Sequence, residues 1–385
     1  MHFPQVYKLA ILNNLVAPYR IPIYRGLGKH FETHLLLSGE ESNRDSWQHL
    51  DKYLLNVKVR RVWGFTLKFC EKRNGETFDP RYLHINPGYF WSLLKLCPDV
   101  VISAEMGFRS IIALLYGFLF RKPVWILWGG TPHTERNRSY FKKLVRRLIF
   151  TRVTRWISYG KTTTDYLLEL GINRNHILQI QNCVDEKLFM LDDVDVELDR
   201  SPFPTLLYAG QLIKRKGPDL FLKAAAKLQQ EGYQFSTRIV GSGIEQKKIV
   251  NLISQLGLKN VSVLSSQKPE DMPAIYKSAD VFVFPTLEEV WGLVVNEALW
   301  SGLTVVASIY AGCAEEVLPP DNLFDPLDQQ STINVLKKAI NGELPAPSTS
   351  QLYTCDQVIE LIVSEIKNHF CADKKPVVSS FTVDT

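Results

Sequence analysis

Residues 280–303 read DVFVFPTLEEVWGLVVNEALWSGL, which is an apolar run, a turn with two acids, and a second apolar run. The first run has the length of a buried strand and ends at Pro285, and the second begins after Gly292 and has the length of a helix. Glu297 lies in that second run, eight residues after Glu289. Because burying an unpaired acid is strongly destabilising, the stretch predicts a strand–turn–helix unit whose acids face water or a polar ligand.

The same alternation of short apolar runs and amphipathic stretches recurs along the chain and predicts repeated βα units. The predicted strands are 6–12, 33–39, 100–105, 123–129, 155–160 and 177–181 in the first half, and 205–210, 236–241, 261–266, 280–285 and 304–308 in the second. The predicted helices between them are 20–30, 88–96, 109–120, 138–150, 161–170, 217–231, 244–256, 270–278, 293–301 and 313–317. Strands that are apolar on both faces are typical of parallel sheets covered by helices. The pattern therefore predicts an α/β protein with two doubly wound domains.

The length of 385 residues suits two domains better than one. An acidic stretch with two prolines, DDVDVELDRSPFP at 192–204, has the composition of a linker. The predicted divisions are a first domain at 1–190, a linker at 191–204, a second domain at 205–349, a C-terminal helix at 350–371 and a disordered tail at 372–385.

Composition narrows the class of protein. A net charge of +5 and a pI near 8.7 suit an anionic ligand or an anionic membrane surface better than nucleic acid. The six cysteines lack C-x-x-C spacing, so we expect free thiols in a reducing cytosol. The N-terminus lacks the features of a signal peptide, and the most apolar run, 110–120, is about half the length of a membrane-spanning helix. We therefore expect a cytoplasmic protein without a transmembrane segment.

Three polar features follow strands of the second domain. Arg215 and Lys216 precede a helix start, which favours diphosphate binding, although a solvated basic turn is an equal alternative. Gly241 and Gly243 allow a ligand to approach the backbone closely, or simply form a tight turn between strand and helix. A carboxylate such as Glu289 can accept hydrogen bonds from sugar hydroxyls, or can cap the following helix.

These features all lie at the carboxyl ends of strands in one domain, where ligands bind in such folds. The run 205–317, about a third of the chain, resembles the C-terminal domain of family-4 glycosyltransferases with the GT-B fold. It contains the G-x-L-x-x-x-K-G turn, the G-x-G, the ADVFVFP strand, the E-x7-E pair and ALWSGLTVVAS in register. The resemblance implies two Rossmann-like domains that face a central cleft, with a C-terminal helix that crosses back.

The resemblance also implies roles for single residues. Glu289 would contact the hydroxyls of the donor sugar, Glu297 the ribose of the nucleotide, and Lys216 the diphosphate. The amides that line the sugar and phosphate path would be those of Val290, Trp291, Gly292 and Leu293. The family usually has Arg where this chain has Gln211, which lacks the charge and the bidentate fork. Either Arg215 compensates, or the donor diphosphate is held more weakly.

The first half offers weaker candidates for the acceptor side of a cleft. Arg20 follows the first strand and would contact a donor phosphate or an anionic acceptor, or face solvent at a helix start. His133 follows Gly129 and Gly130 and is a candidate proton relay, although loop histidines are more often solvated. Glu105 ends another strand. The basic helix at 139–155 predicts contact with anionic lipid, or an ordinary surface helix.

The implied activity is hexosyl transfer from a UDP- or GDP-sugar to a saccharide or lipid-linked acceptor, with retention of configuration, in polysaccharide or glycoconjugate biosynthesis. No cofactor or metal is expected, because the sequence has no Asp-x-Asp triplet or histidine cluster suited to a divalent ion. Expected partners are the nucleotide sugar, the acceptor and the inner face of a membrane, and no nucleic acid. A GT-B sugar-nucleotide epimerase or hydrolase and a non-catalytic nucleotide-sugar-binding relative are the alternatives.

Overall fold

Two parallel β-sheets form the centre of the computed structural model, which describes residues 6–39, 50–73, 76–136, 140–190 and 201–372. The first sheet has seven strands in the order β3-β2-β1-β6-β7-β8-β9. Its strands are β1 (Lys8–Asn13), β2 (Glu32–Leu37), β3 (Val57–Arg61), β6 (Val100–Ala104), β7 (Val124–Trp128), β8 (Arg155–Tyr159) and β9 (Ile177–Ile180). Its helices are α1 (Ile21–His30), α2 (Gly88–Leu96), α3 (Phe108–Phe120), α4 (Pro132–Glu135), α5 (Tyr140–Phe150), α6 (Gly160–Glu169) and α7 (Glu186–Phe189).

The second sheet has six strands in the order β12-β11-β10-β13-β14-β15. Its strands are β10 (Thr205–Ala209), β11 (Ser236–Val240), β12 (Val261–Leu264), β13 (Val281–Phe284), β14 (Thr304–Ser308) and β15 (Leu323–Phe324). Its helices are α8 (Pro218–Gln230), α9 (Gln246–Gln255), α10 (Met272–Lys277), α11 (Leu293–Trp300), α12 (Ala314–Val317) and α13 (Gln329–Ile340). Every residue of β10 and β13 is buried, as expected for parallel strands that are covered on both faces.

A two-stranded antiparallel hairpin, which the sequence analysis did not predict, interrupts the first domain between β3 and α2. It consists of β4 (Phe65–Arg73) and β5 (Glu76–Ile85), paired from Phe65 with Ile85 to Arg73 with Glu76. Strand β5 packs against α3 of its own domain and against the turn Lys214–Lys216 of the second domain. The hairpin therefore joins the two halves of the molecule on one side.

The last helix, α14 (Cys355–Ala372), returns to the first domain and packs against α1 and β9. A Cβ added at Gly26 of α1 would lie 2.2 Å from the Ile359 side chain, so the two helices approach closely. Tyr7 and Phe370 stack with their ring centroids 4.0 Å apart. The predicted C-terminal helix that crosses back is thus confirmed.

The predicted strands are all present, with ends within two residues of the prediction. Most of the predicted linker, at 191–200, and the predicted tail from residue 373 lie outside the described residues, as does residue 139 of the predicted basic helix. Among the described helices, none combines the length and the apolar composition needed to cross a membrane.

Candidate active site

The polar residues predicted at strand ends of the second domain meet where β10 and β13 lie side by side. These strands are neighbours in the sheet although β11 and β12 separate them in the chain, so their outgoing loops diverge and leave a crevice. Gly217, at the end of the basic turn, has a φ of +67°. A Cβ there would lie 2.1 Å from the carbonyl oxygen of Pro285. Only glycine lets the turn after β10 pack this closely on the loop after β13.

Glu289 and Lys216 form an ion pair in this crevice. The Lys216 ammonium donates to Oε2 of Glu289, and the Arg215 guanidinium lies 3.5 Å from the same oxygen. Arg215 also donates to the carbonyl oxygen of Glu288 at 2.8 Å. The side chains of the three charged residues are only 15–17% exposed. The structure therefore brings together the predicted sugar-binding acid and the predicted phosphate-binding cations, although they are 73 residues apart in sequence.

This pairing determines the ionisation of Glu289. Burial by itself would raise the pKa of the carboxyl, but the charges of Lys216 and Arg215 outweigh burial and lower the pKa to about 2. The Val290 amide adds a hydrogen bond to Oε1 at 3.2 Å. Glu289 is thus a fixed, weakly basic carboxylate that accepts hydrogen bonds across the neutral pH range.

The loop that carries Glu289 is clamped by the segment after β14. The Glu289 amide donates to the Tyr310 carbonyl oxygen at 3.2 Å, and the Gly312 amide donates to the Glu289 carbonyl oxygen at 3.2 Å. A Cβ at Gly312 would lie 2.0 Å from the Val290 carbonyl oxygen. Gly292, at a φ of +107°, then begins α11. The loop is held through its backbone, so the position of the carboxylate does not depend on side-chain packing alone.

Glu297 projects from α11 and accepts a hydrogen bond from the Tyr276 hydroxyl at 2.7 Å. Burial raises the pKa of this carboxyl, and the Tyr276 hydroxyl lowers it in part. Tyr276 is not among the predicted site residues, because near the end of α10 it has the pattern of a core residue. The two acids of the E-x7-E pair are therefore in different states: one is paired with cations and the other with a phenol.

The two glycines after β11 approach protein backbone. A Cβ at Gly241 would lie 1.9 Å from the Gly210 carbonyl oxygen, and a Cβ at Gly243 would lie 2.3 Å from the Leu212 carbonyl oxygen. The G-x-G turn thus packs against the first residues of the basic turn. Gln211 stands where arginine was expected, lies between Gly210 and Leu212, and is exposed.

Arg20 of the first domain lies near the same crevice. Its guanidinium is 4.8 Å from the centroid of the Tyr159 ring at the end of β8. A Cβ at Gly129, at the end of β7, would lie 2.8 Å from that ring and 2.3 Å from Val290 of the second domain. Gly129 therefore contacts the loop that carries Glu289, and Tyr159 and Arg20 follow behind it in the first domain. The hydroxyl of Tyr159 is buried and has no hydrogen-bond partner among the described residues.

His133 lies in α4 and contacts Tyr310 of the second domain edge to face, with ring centroids 5.1 Å apart. Burial lowers the pKa of its imidazole, and Arg136 lowers it further, so the ring is neutral at pH 7. Tyr310 also provides the carbonyl that holds the Glu289 loop. The structure places His133 beside the clamp of that loop.

Glu105 follows β6 in the left-handed region, with a φ of +65°, and its side chain is exposed. Its amide donates to the carbonyl oxygen of Leu127 at 2.8 Å. A positive φ is uncommon for a residue other than glycine and is found more often at functional sites. The structure shows no contact between Glu105 and the Glu289 loop among the described residues. Within the described part of the chain there is also no cluster of three His, Cys, Asp or Glu residues suited to a metal ion.

Polar bonds connect the two domains behind the crevice. One oxygen of Glu316 accepts from the Lys161 amide, and the other accepts from the Gln181 side chain at 2.7 Å. Gln181 also donates to the carbonyl of Gln351 at 2.8 Å and accepts from the amide of Tyr353 at 2.8 Å. Three segments that are distant in sequence therefore meet at Gln181.

Residues 193–352 match the model of the family described as glycosyl transferases group 1. The match contains β10, β13, α11 and every second-domain residue of the crevice.

Particular relatives are consistent with this class. The chain is 35% identical over 197 residues to D-inositol 3-phosphate glycosyltransferase of Corynebacterium aurimucosum, which covers 47% of this chain and 46% of the relative. It is 25% identical to 2-deoxystreptamine glucosyltransferase of Streptomyces kanamyceticus, over 62% of this chain and 67% of the relative. The chain spans less than half the length of the first three curated relatives that it matches.

Solved structures show the fold. Anabaena HepE in complex with UDP and glucose has a TM-score of 0.68 at 18% identity, covering 95% of this chain and 98% of that one. Sucrose-phosphate synthase of Thermosynechococcus elongatus has a TM-score of 0.73 at 17% identity, covering 95% of this chain and all (100%) of that one. The predicted GT-B arrangement of two Rossmann-like domains is confirmed.

Proposed function

We propose that this chain is a hexosyltransferase that transfers a sugar from a UDP- or GDP-sugar to a saccharide or lipid-linked saccharide. The observation that carries the proposal is the meeting of Lys216 and Glu289 at the β10–β13 crevice, within the residues that match the family. A cation suited to a diphosphate and a carboxylate suited to sugar hydroxyls are then adjacent in one site. The complex of the structurally similar HepE with UDP and glucose supports a nucleotide sugar as the ligand.

The ion pair suggests how the donor would bind. A diphosphate competes with Glu289 for the Lys216 ammonium, so donor binding releases carboxylate oxygens to accept hydrogen bonds from the sugar. Lys216, together with the amides of Gly292 and Leu293 at the start of α11, would then stabilise the charge that develops on the leaving diphosphate. Arg215 holds the loop through the Glu288 carbonyl and adds positive charge. Glu297, fixed by the Tyr276 hydroxyl, would hold the ribose.

The low basicity of Glu289 argues against a covalent intermediate on that residue, and retention is proposed from the resemblance to family-4 glycosyltransferases. A carboxylate whose pKa is about 2 is a weak base and a poor nucleophile, and Arg215, 3.5 Å from its Oε2, would remain beside it once the diphosphate binds Lys216. We propose front-face transfer, in which the departing phosphate removes the proton of the acceptor hydroxyl. Positive side chains and helix amides would take the place of a metal ion at the diphosphate.

The first domain would bind the acceptor. Arg20 and His133 face the second domain across the crevice, and Glu105 ends the neighbouring part of the same sheet edge. The proposed role is in polysaccharide or glycoconjugate biosynthesis in the cytoplasm, with residues 139–155 in contact with the inner face of the membrane.

A donor screen followed by turnover tests the proposal. Thermal shift with UDP- and GDP-sugars should identify a ligand that raises the melting temperature. Release of the nucleoside diphosphate should then fall at least about a hundredfold in Glu289→Ala, since removing one polar group that stabilises a transition state has effects of this size. Glu360→Ala, an exposed acid of α14, is the matched control and should keep full turnover.

The same assay separates the alternatives. If the donor is isomerised or hydrolysed and no added acceptor receives the sugar, the protein belongs to the epimerase or hydrolase class. Binding without turnover for any acceptor would indicate a non-catalytic relative. An inverted product anomer in NMR spectra would disprove the front-face mechanism while leaving the donor site in place.

A further inference from the structure

Helix α3 exposes an apolar face to solvent. Ile111, Leu115, Phe118 and Leu119 recur at the spacing of one helix face and are between 42% and 75% exposed, with Phe118 the most exposed. Phe120 at the end of the helix is 47% exposed. An exposed large side chain is ordinary when isolated, but a continuous face of this kind marks a surface that binds something apolar.

Helix α5 lies across a groove from this face. The groove has a volume of about 600 Å³. Its α5 wall includes Leu148, which is 62% exposed, and its floor includes Gly117, Val124 and the buried Ile149. Leu144, one turn before Leu148, is 47% exposed. Two helices thus present apolar ridges on both sides of an open apolar channel.

The surroundings of the groove are positively charged. Lys122 and Arg152 line it, and further exposed cations are Arg121, directly after α3, and Lys143 and Arg147 on α5. Residues 106–134 and 136–164, which contain α3 and α5, hold no Asp or Glu at all. Among the described residues, Lys122 is the member of this set that has an acidic partner, Asp99 at 3.3 Å.

Two further cations of the predicted basic helix contact other side chains of the protein. Arg146 pairs with Glu135 and lies over the Trp128 ring, 5.8 Å from its centroid. Arg155 lies 3.3 Å from Glu365 of α14. Lys122 and Arg152 line the groove together with the apolar ridges, which is the arrangement of a surface that lies in the lipid headgroup region.

We propose that the α3–α5 surface, formed by the exposed residues of these two helices and the groove between them, docks onto an anionic lipid bilayer. Phe118 and its neighbours would enter the boundary of the hydrocarbon, an acyl chain would fill the groove, and Arg121, Lys143 and Arg147 would contact the headgroups. This surface extends the membrane contact proposed above for residues 139–155, and its main apolar wedge is on α3. Charge complementarity selects this occupant, because the surface combines apolar ridges with cations and contains no acid.

Vesicle flotation tests the proposal with the full chain. The wild type should bind vesicles of phosphatidylcholine mixed with phosphatidylglycerol and bind vesicles of phosphatidylcholine alone at least about tenfold more weakly. The double variant Phe118→Ser/Leu148→Ser should lose at least about tenfold in affinity. Arg147→Gln should lose about fivefold. The matched controls are Ile244→Ser, an exposed apolar residue (61%) of the second domain, and the exposed Lys259→Gln. Both should bind like the wild type.

Three results would overturn the proposal: equal binding to both kinds of vesicle, no binding to either, or unchanged binding by the double variant. A dimer in sedimentation velocity that the double variant abolishes would also overturn it, because a second copy would then be the occupant. Urea unfolding should give the same midpoint for the double variant and the wild type, which excludes misfolding. Thermal shift with UDP in the same samples reports the donor site separately, so failure of vesicle binding and failure of the proposed function can be distinguished.

Discussion

Replacing Glu289 with Gln tests the charge balance of the crevice. The change preserves the size of the side chain and removes its negative charge, so Lys216 and Arg215 lose their carboxylate. The pKa of Glu289 is lowered from 4.5 to about 2 in the folded protein. At about 1.4 kcal/mol for each unit of pKa, the ionised carboxylate contributes about 3 kcal/mol to the free energy of unfolding at pH 7. We expect Glu289→Gln to lose an amount of this size.

The loss should depend on pH in a defined direction. Because the pKa is lowered on folding, the stabilisation is complete above the unfolded-state pKa of 4.5 and is lost as pH falls toward 2. At about pH 3.5 the contribution of Glu289 to the free energy of unfolding of the wild type is smaller by about 1.4 kcal/mol than at pH 7. The variant has no carboxylate at this position and does not lose this contribution. The difference between the two proteins should therefore shrink from about 3 kcal/mol at pH 7 to about 2 kcal/mol at about pH 3.5.

Urea unfolding followed by tryptophan fluorescence measures both values, with Glu315→Gln as the control for removing an exposed acid. The control should match the wild type at both pH values. A loss below about 1 kcal/mol at pH 7, the range of exposed ion pairs, would refute the reasoning. A difference that stays constant between the two pH values would also refute it, because the effect would then come from packing and not from charge.

Two further predictions concern the residues that support the site. Tyr276→Phe removes a hydrogen bond that lowers the pKa of Glu297, so that pKa should rise further. If Glu297 holds the ribose, its protonation weakens nucleotide binding. As the pH is lowered, the affinity of the variant for UDP or GDP, measured by calorimetry, should therefore begin to fall at a higher pH than that of the wild type. Gly312→Ala places a Cβ 2.0 Å from the Val290 carbonyl and should cost about 2 kcal/mol or more in urea unfolding. Gly107→Ala, at the N-cap of α3 in extended backbone where a Cβ meets nothing within 4 Å, should change stability by less than about 1 kcal/mol.

The sheets were predictable because their strands are buried on both faces. A run such as VFVF in β13 has no polar alternative, and its length and its flanking turn distinguish it from a helix. The hairpin β4–β5 was missed because it belongs to neither sheet and its polar residues conceal the pattern. Phe65, Leu67 and Phe69 do alternate with period two, which was the signal available. Helix α13 was also missed, although Ile333, Leu336 and Ile340 recur at helical spacing.

The sequence indicated which residues lie on the loops around the candidate site, but not which of their side chains contact each other. Glycines and charged residues at strand ends indicate which loops converge, because parallel strands deliver their carboxyl ends to one edge. The pairing of Lys216 with Glu289 depends on β10 lying beside β13, a neighbour relation that strand order in sequence does not reveal. Tyr276 and Tyr310, which hold an acid and a loop, act through contacts between elements, and local pattern carries no sign of them.

The polar junction at Gln181 has a consequence for how the two domains move. Gln181 makes hydrogen bonds to Glu316, Gln351 and Tyr353 across this junction. Each of these bonds can be exchanged for a hydrogen bond to water with little net change in free energy. Apolar contact lies beside these bonds, because the buried Trp291 ring packs on Gly160, where a Cβ would lie 2.2 Å from it. That apolar area resists opening in proportion to the surface that would be exposed, whereas the polar bonds fix the direction in which the two domains meet.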